Sequence, residues 1–307
     1  MFTGIQSALN PQGPHAAVIA EIAWVLFIAG AVIFLVVMAL AGWALWRRPA
    51  WLGSHAMIVG GGVVFPAVVL TVLLVYSLAR AAALRDAESP AVRIAVVGHQ
   101  WWWHVTYLDA AGGVDFITAN ELHLPTGHSV EVEVRTNDVL HSFWVPTLAG
   151  KLDMVPGKNN RLRLRAAAPG VVRGQCAEYC GGPHAKMAFF VVAQEPADFE
   201  AWREAQRRPA RAPGNELVRK GRDVFVAHCA ACHTVRGTAA AGVLGPDLTH
   251  VGSRVSIGAG ILPNNTGAIG GWIASSQHIK PGNLMPSFER FSGEDLHALA
   301  AYVESLK

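Results

Sequence analysis

The segment around which the chain is expected to fold is G-Q-C-A-E-Y-C-G-G-P-H-A-K-M, residues 174–187. It places two cysteines, Cys176 and Cys180, in one loop with His184 and Met187. Two thiolates, one imidazole and one thioether form a soft donor set, which prefers copper over magnesium, calcium or manganese. The segment therefore predicts a copper site.

One further imidazole is expected at this site. His141 is the candidate because it follows an alternating strand pattern and precedes a turn closed by proline. A mononuclear blue-copper centre uses two histidines, one cysteine and a weak axial methionine, so the present set has one cysteine too many. Two thiolates held close together could instead bridge two copper ions. Two alternatives stay open on the residues: a disulfide, which would leave the loop's histidine and methionine unexplained, and a single-copper chaperone site.

The composition indicates a protein with a membrane part. Hydrophobic residues make up 52% of the 307-residue chain and charged residues only 15%, which is high for a wholly soluble protein. The net charge of +3 is small and the basic residues are dispersed apart from a short run near 203–211, so nothing indicates nucleic acid. The four cysteines form two close pairs, which leaves none for a structural disulfide framework.

Residues 1–88 are predicted to form a transmembrane helical hairpin. The apolar runs at about 16–46 and 56–79 each exceed the ~20 residues that a helix needs to cross about 30 Å of hydrocarbon. Arg47 and Arg48 in the connection place that loop in the cytoplasm by the positive-inside rule, so both termini face outward. A signal peptide is the alternative for the first run, but its apolar segment is about twice the usual length and has no basic start.

Residues 89–200 are predicted to form an antiparallel barrel or sandwich of cupredoxin type. Short alternating or β-branched runs, separated by Gly, Pro and Asn turns, occur at 91–97, 128–135, 161–165 and 188–193. A rigid barrel can hold ligands from separate loops in a geometry that changes little with redox state. The run G-H-Q-W-W-W-H, residues 98–104, contains three consecutive tryptophans, which one face of an element cannot bury, so some must be exposed or lie against another surface.

A second redox domain is expected after a linker. Residues 201–213 are rich in Arg, Ala and Pro with little to bury, which predicts a tether, and residues 214–307 follow it. The motif C-A-A-C-H in this part is the C-x-x-C-H attachment sequence of c-type haem. Cys229 and Cys232 would form thioethers to the haem, and His233 would bind the iron.

The sixth iron ligand is predicted to be Met285 in K-P-G-N-L-M-P-S-F, because a thioether opposite histidine raises the haem potential as in cytochromes c. The rivals lack a flanking pattern; they are His250, His278 and His297. An amphipathic helix over 217–229 and a last helix capped by Ser292 and Asp295 complete an all-α domain.

Together these motifs resemble subunit II of a haem–copper cytochrome c oxidase with a fused C-terminal cytochrome c, the caa type. In that family the copper loop reads C-x-E-x-C-x-x-x-H-x-x-M, and residues 176–187 fill every position. The resemblance covers the anchor, the copper domain and the haem domain in the family's order. It implies a multidomain membrane protein with a two-helix hairpin, an all-β cupredoxin-like barrel and an all-α class I cytochrome c domain.

The resemblance also implies roles for individual residues. A binuclear CuA centre would be held by His141, Cys176, Glu178, Cys180, His184 and Met187. Glu178 would bind copper through its backbone carbonyl and direct its carboxylate toward a magnesium ion shared with the catalytic subunit. Trp101, the first tryptophan of the G-H-Q-W run, would lie by the copper and take electrons from cytochrome c. Asp138 and Asp153 also match family positions, and Asp138 is expected to support His141.

The implied function is electron entry into a respiratory terminal oxidase. Electrons would pass from a soluble or membrane cytochrome c, or another respiratory donor, through covalent haem c and CuA to subunit I, which reduces oxygen to water and pumps protons. Subunit III is a further implied partner. The implied location is the bacterial inner (plasma) membrane, with the copper and haem domains on the periplasmic or outer side.

Two other functions remain compatible with the motifs. One is the electron-entry subunit of a CuA-containing nitric oxide reductase, and the other is a non-catalytic membrane copper carrier with an accessory cytochrome. One departure from the oxidase family concerns proton uptake. That family often has a glutamate near the start of the second helix, whereas residues 55–66 contain no carboxylate.

Overall fold

The computed structural model describes residues 4–47, 50–82, 84 and 88–307. The chain folds as a pair of apolar helices, a β-sandwich and a helical C-terminal domain, as the sequence predicts. Arg48, on which part of the predicted membrane orientation depends, lies outside the described residues.

Two helical rods form the N-terminal part. The first is α1 (Pro14–Arg47), and the second runs over His55–Ala82. The second rod consists of α2 (His55–Val59), a π-helical turn (Gly60–Val64) and α3 (Phe65–Ala82). Both rods are long and apolar enough to cross a membrane, and both extend a few residues beyond the predicted runs.

The two rods contact each other through polar side chains. The Tyr76 hydroxyl of α3 donates a hydrogen bond to the Glu21 carboxylate of α1 at 2.9 Å, and Arg80 forms an ion pair with the same carboxylate. The start of α1 is also attached to the sandwich, because Ala16 donates its backbone N–H to the Leu148 carbonyl at 3.1 Å. The apolar helices therefore join the β-sandwich directly.

The β-sandwich has ten strands in two five-stranded sheets. In chain order they are β1 (Val92–His99), β2 (Trp102–Leu108), β3 (Val114–Ala119), β4 (Glu121–Pro125), β5 (Val130–Thr136), β6 (His141–Trp144), β7 (Leu152–Met154), β8 (Asn160–Leu164), β9 (Gly170–Cys176) and β10 (Ala188–Gln194). The sheet orders are β3-β2-β1-β5-β8 and β4-β10-β9-β6-β7. The pairs β1–β5 and β4–β10 are parallel and the remaining pairs are antiparallel, so the predicted cupredoxin-type sandwich forms with two parallel pairs where antiparallel pairing was expected. Parallel neighbours cannot be joined by a tight hairpin. In both parallel pairs the chain between the two strands passes through the other sheet.

The three consecutive tryptophans separate by strand alternation. Trp103 is fully buried between the sheets, where its ring packs against Phe143 and Phe189. Trp102 points to the other face and stacks on His99, with ring centroids 4.6 Å apart. Trp101 precedes β2 and is half-buried. Successive side chains of a strand point to opposite faces, so Trp103 enters the core whereas Trp102 does not.

Helix α4 (Pro196–Arg207) occupies half of the predicted linker. Its Trp202 ring stacks on His123 with centroids 3.9 Å apart and also contacts Tyr107. Arg203 and Arg207 both form ion pairs with Asp115, which is mostly buried. The prediction of a tether over 201–213 differs from the structure here, because the apolar and acidic partners of this helix lie far away in sequence.

The C-terminal domain contains α5 (Glu216–His228), a two-stranded sheet of β11 (Ser256–Ile257) and β12 (Leu262–Pro263), α6 (Thr266–Ile279) and α7 (Gly293–Ser305). The Asn215 and Ser292 side chains cap α5 and α7 by accepting backbone N–H bonds. Helices α5 and α7 cross closely at Gly221, where a Cβ would lie 1.9 Å from the Ala298 carbonyl oxygen. The predicted first and last helices of this domain are confirmed.

The packing of α4 makes a testable prediction. Trp202→Ala removes the ring that stacks on His123, and the cost is expected to be about 3 kcal/mol, as for other truncations of packed aromatic side chains. The measurement is the guanidinium midpoint of the β-sheet transition in the detergent-purified chain, followed by circular dichroism. Arg211→Ala, an exposed position beyond the helix, is the control and should leave the midpoint unchanged. Equal midpoints for both variants would mean that α4 is a detached tether.

Candidate copper and haem sites

Strand pairing brings the predicted copper ligands together. His141 is the first residue of β6 and Cys176 the last residue of β9, and these strands are neighbours with Phe143 opposite Cys176. The loop after β9 carries Cys180 and His184 and leads to Met187. A distant histidine and a local loop therefore meet at one edge of the sandwich.

The two thiol sulfurs form the centre of this site. Their Sγ atoms lie 3.7 Å apart, and both cysteines are free thiols in this structure, so no disulfide joins them here. The Cys176 sulfur lies 3.7 Å from His141 Nδ1, and the Cys180 sulfur lies 3.4 Å from His184 Nδ1. Each sulfur thus has its own imidazole.

Two weaker donors complete the arrangement. The Met187 Sδ lies 3.8 Å from the Cys180 sulfur, and the Glu178 carbonyl oxygen lies 3.2 Å from the Cys176 sulfur. The two cysteines, the methionine and His141 are all less than 5% exposed. Two central thiols, two imidazoles, one thioether and one carbonyl fit two soft metal ions bridged by the sulfurs.

The electrostatics of the thiol pair favour a bound cation. The hydrogen bond between the two sulfurs lowers the pKa of Cys176 and, together with burial, raises the pKa of Cys180. The pair therefore loses one proton readily, whereas a second thiolate would be repelled by the first. Metal cations between the sulfurs would remove this repulsion. Burial disfavours the charged form of His141, but its hydrogen bonds to Cys176 and Asp138 raise its pKa overall.

Asp138 orients the distant histidine. Its Oδ1 lies 2.8 Å from His141 Nε2, so the Nδ1 atom of that ring faces the Cys176 sulfur. The other carboxylate oxygen accepts the backbone N–H of Gln100 at 2.7 Å. Such hydrogen bonds fix the orientation of a metal-ligating imidazole. The geometry agrees with the expected supporting role of Asp138, whereas Asp153 is half-exposed and lies 3.8 Å from Lys151 Nζ.

The Glu178 carboxylate faces away from the thiols. Its Oε2 lies 3.3 Å from Lys151 Nζ, and the side chain is partly exposed. The backbone carbonyl of Glu178 lies at the Cys176 sulfur, whereas its carboxylate lies at Lys151, so the two groups could bind two different metal ions.

The predicted haem ligands line one cavity of about 370 Å³ in the C-terminal domain. Cys229, Cys232, His233 and Met285 all border it, and most of its wall is apolar. Among the described residues, the cavity lining does not include His250, His278 or His297, the other candidates for the sixth iron ligand. The structure therefore groups the C-x-x-C-H motif with Met285, and the cavity suits a flat apolar cofactor.

Two sets of hydrogen bonds position the iron-ligand candidates. His233 Nδ1 lies 2.8 Å from the Pro246 carbonyl oxygen, which leaves Nε2 available to the cavity. Burial lowers the pKa of His233, so the neutral imidazole that can bind iron is favoured. The Met285 carbonyl accepts bonds from Ser276 Oγ at 2.9 Å and Gln277 Nε2 at 2.7 Å, which fix the loop that presents the thioether.

Trp101 lies between the copper loop and the haem cavity. Its indole N–H donates to the Cys180 carbonyl at 2.9 Å, and its ring borders the cavity. A Cβ on Gly181 of the copper loop would lie 2.9 Å from this ring, and one on Gly282 of the haem domain would lie 3.6 Å from it. Both glycines therefore allow close contact with the indole.

Sequence reasoning missed three residues around these sites. Gln100 donates its side-chain N–H to the Cys180 carbonyl at 2.8 Å, next to the Trp101 bond, and its position in the G-H-Q-W run was the available signal. Lys280 donates to the Trp101 carbonyl at 2.6 Å. Arg254 borders the haem cavity. No local motif marks these two cations, because only the tertiary structure brings them to the boundary between the domains.

Comparison with known proteins adds family information. Residues 114–194 match the family described as "Cytochrome C oxidase subunit II, periplasmic domain", and residues 218–307 match "Cytochrome c". A protein named cytochrome c oxidase subunit 2 from Alkalihalophilus pseudofirmus is 36% identical, covering 98% of this chain and 91% of its own length. One of the same name from Bacillus sp. strain PS3 is 32% identical, covering 77% of this chain and 69% of its own.

Among solved structures, the periplasmic domain of subunit II of cytochrome oxidase from Bradyrhizobium japonicum is similar to part of this chain. The match covers 97% of that chain and 40% of this one, with 28% sequence identity and a TM-score of 0.37.

The contact between Asp138 and His141 makes a prediction for metal binding. Asp138→Asn keeps the size of the side chain but removes its charge, so copper affinity is expected to fall about 10- to 100-fold, as when other hydrogen-bonded partners of metal ligands are changed. The measurement is copper retention in competition with a chelator. Asp153→Asn is the matched control and should bind copper like the parent. An affinity loss of equal size in both variants would contradict the orienting role.

Proposed function

Because this chain belongs to the cytochrome c oxidase subunit II family, we propose that it is the electron-entry subunit of a respiratory terminal oxidase. It is subunit II of a haem–copper oxidase and carries a cytochrome c domain. In the proposed role, electrons from an external donor enter at the haem domain, cross to the copper domain and leave for subunit I. Oxygen reduction and proton pumping would take place in that partner.

The copper domain would hold a binuclear CuA centre. Cys176 and Cys180 would bridge the two metal ions, each with one histidine, and Met187 and the Glu178 carbonyl would bind at the two ends. When bound, a copper pair of this kind shares one electron between its two ions and transfers it in single steps. The sandwich supports this use because the ligands come from paired strands and a short loop, which resist rearrangement.

The haem domain would carry covalent haem c. Cys229 and Cys232 would form the thioethers, His233 would bind the iron on one side and Met285 on the other. Such a haem accepts and donates single electrons. The hydrogen bonds that fix the His233 ring and the Met285 loop support these roles.

The observation that carries the proposal is the position of Trp101. This one side chain touches the copper loop through its N–H bond to Cys180 and touches the haem cavity with its ring. An indole in contact with both sites provides a short path for electrons between them. A copper carrier with an independent cytochrome would have no need for such a contact.

The proposed role requires a partner subunit, because the two N-terminal helices, in the part of the chain that the structure describes, do not carry the ligands of an oxygen-reducing site. Within the described spans the histidines are His15 and His55, and both lie at helix ends. The spans therefore offer no set of intramembrane ligands for oxygen-reducing haem and copper, so subunit I must supply them. We further propose subunit III as a partner, a magnesium ion at the Glu178 carboxylate shared with subunit I, and a bacterial plasma membrane with both redox domains on the outer side.

The first experiment is a metal analysis of the detergent-purified chain. The proposal expects about two coppers per covalently bound haem iron, with one unpaired electron shared by both coppers in the spectrum of the oxidised protein. Cys180→Ser removes one bridge and should abolish this signal while the haem spectrum stays intact. One exchangeable copper or none in the parent chain would overturn the binuclear assignment and favour the copper carrier.

The second experiment tests Trp101. Trp101→Phe removes the hydrogen bond to the Cys180 carbonyl and replaces the indole by a smaller ring. Electron transfer from haem to copper is expected to slow roughly tenfold or more, because small losses of alignment between reacting groups are costly. The rate is measured by flash photolysis from the haem and copper absorbance bands. Trp102→Phe is the control, because Trp102 borders the same cavity but donates no hydrogen bond to the copper loop, and it should slow the transfer less. Equal rates in the parent and Trp101→Phe would contradict the path.

A further inference from the structure

The copper-ligand candidate Met187 lies between two residues that both contact the haem domain. On one side, the exposed Lys186 donates a hydrogen bond from its ammonium group to the backbone carbonyl of Ile279, the last residue of α6. On the other side, Ala188 donates its backbone N–H to the Ala259 carbonyl at 3.0 Å. The copper domain is therefore attached to the haem domain immediately before and immediately after the thioether.

The contact at Ala188 continues a sheet edge of the copper domain. Strand β4 pairs with β10 only from Phe190 onward, where the Phe190 N–H donates to the Asn120 carbonyl at 3.2 Å. Ala188 lies two residues earlier and donates toward the same edge, because alternate residues of a strand donate in the same direction. Its acceptor belongs to the haem domain instead of β4. The haem domain thus supplies the hydrogen bond that holds the first residue of β10 at this edge.

The loop that provides this acceptor packs tightly against β10. A Cβ on Gly260 would lie 2.9 Å from the Ala188 Cβ, so the two segments are in close contact. Ala259 is only 1% exposed and has a positive φ of 65°, which residues other than glycine rarely adopt. The segment before the loop is anchored as well, because Val255 donates its N–H to the Glu121 carboxylate of β4 at 2.7 Å. The copper domain therefore holds this loop at both ends.

Met187 connects the copper loop to β10. Its N–H donates to the His184 carbonyl at 3.1 Å, and its carbonyl accepts the Cys176 N–H at 2.9 Å. Strand β10 begins at the next residue, so a displacement of Ala188 would move the Met187 backbone. The Met187 Sδ atom, 3.8 Å from the Cys180 sulfur, would move with it.

We propose that the haem domain holds Met187 in position as an axial copper ligand, so that docking of the haem domain tunes the potential of the copper site. The inference rests on the proposed function, because it requires copper bound at the thiol pair. In copper sites with a weak, long axial methionine, the axial ligand tunes the reduction potential. Lys186 and Gly260 would be positioning residues, since they act through the backbone on either side of Met187.

The test is a redox titration of the copper pair in the detergent-purified full chain, together with the hyperfine splitting of its oxidised signal. Gly260→Ala places a methyl group against Ala188 and should push the loop away from β10. A weaker thioether bond stabilises oxidised copper less. The equilibrium constant for reduction is therefore expected to rise roughly threefold, or about 28 mV for one electron.

A second variant removes the contact on the other side. Lys186→Met keeps the length of an exposed side chain but removes its hydrogen bond to the Ile279 carbonyl, so it leaves the core unchanged. It is expected to change the hyperfine splitting in the same direction as Gly260→Ala. Lys186→Arg keeps a charged donor and should keep the parental splitting.

A double-mutant cycle with Met187→Leu separates action through the thioether from every other effect. Met187→Leu removes the axial sulfur, so a variant that acts through this sulfur should shift the potential in the parent but not in the Met187→Leu background. The charge lost in Lys186→Met acts equally in both backgrounds. The difference between the two backgrounds therefore measures the positioning role alone.

Two control variants match these changes. Gly271→Ala adds a methyl group to α6 of the haem domain, where nothing lies within 4 Å of the new Cβ. Lys158→Met removes another exposed lysine of the copper domain. Both should keep the copper potential and the hyperfine splitting of the parent.

The outcomes distinguish this inference from the proposed function. Copper-loaded Gly260→Ala with the parental potential, or shifts of equal size with and without the thioether, would overturn the positioning role and leave the proposed function intact. A parent chain without a copper pair would overturn the proposed function and this inference with it.

Discussion

Two buried thiol sulfurs lie 3.7 Å apart, and holding them there is the strongest demand placed on this fold. Two thiolates at that distance would repel each other in a medium of low polarity, and cations between them would remove that repulsion. Holding the sulfurs there needs a rigid frame. The frame is the pairing of β6 with β9, which sets His141 against Cys176, and the short return loop from Cys180 to Met187.

The same loop fixes the relation between the two redox domains. The Cys180 carbonyl accepts hydrogen bonds from both Gln100 and Trp101, so the copper ligand and the indole form one unit. Lys280 of the haem domain then donates to the Trp101 carbonyl. Domain docking and the proposed electron path therefore use the same contacts.

The N-terminal helices and α4 each attach to the β-sandwich at separate places. The start of α1 bonds to the sandwich through the backbone at Leu148, whereas α4 covers the sandwich through Trp202 and the ion pairs with Asp115. The residues after α4 connect it to the C-terminal domain and are held against that domain, because Ala210 donates its backbone N–H to the Arg236 carbonyl at 2.9 Å and the Arg208 carbonyl lies 3.0 Å from His250 Nε2. This short connection keeps the C-terminal domain close to Trp101 at a high effective concentration, which reduces the entropic cost of docking.

Hydropathy, strand patterns and motifs were enough to predict the three modules and most residues of both candidate metal sites. The two apolar helices follow from hydropathy. The copper ligands Cys176, Cys180, His184 and Met187 follow from their spacing, because residues in one short loop stay close together. Only the tertiary structure decided which side chains surround those ligands. The burial of Trp103 but not Trp101, the packing of α4, and the hydrogen bond from Lys280 to the Trp101 carbonyl depend on contacts between distant segments. Local propensity carries no information about such contacts, since their partners are set by how the sheets and domains pack.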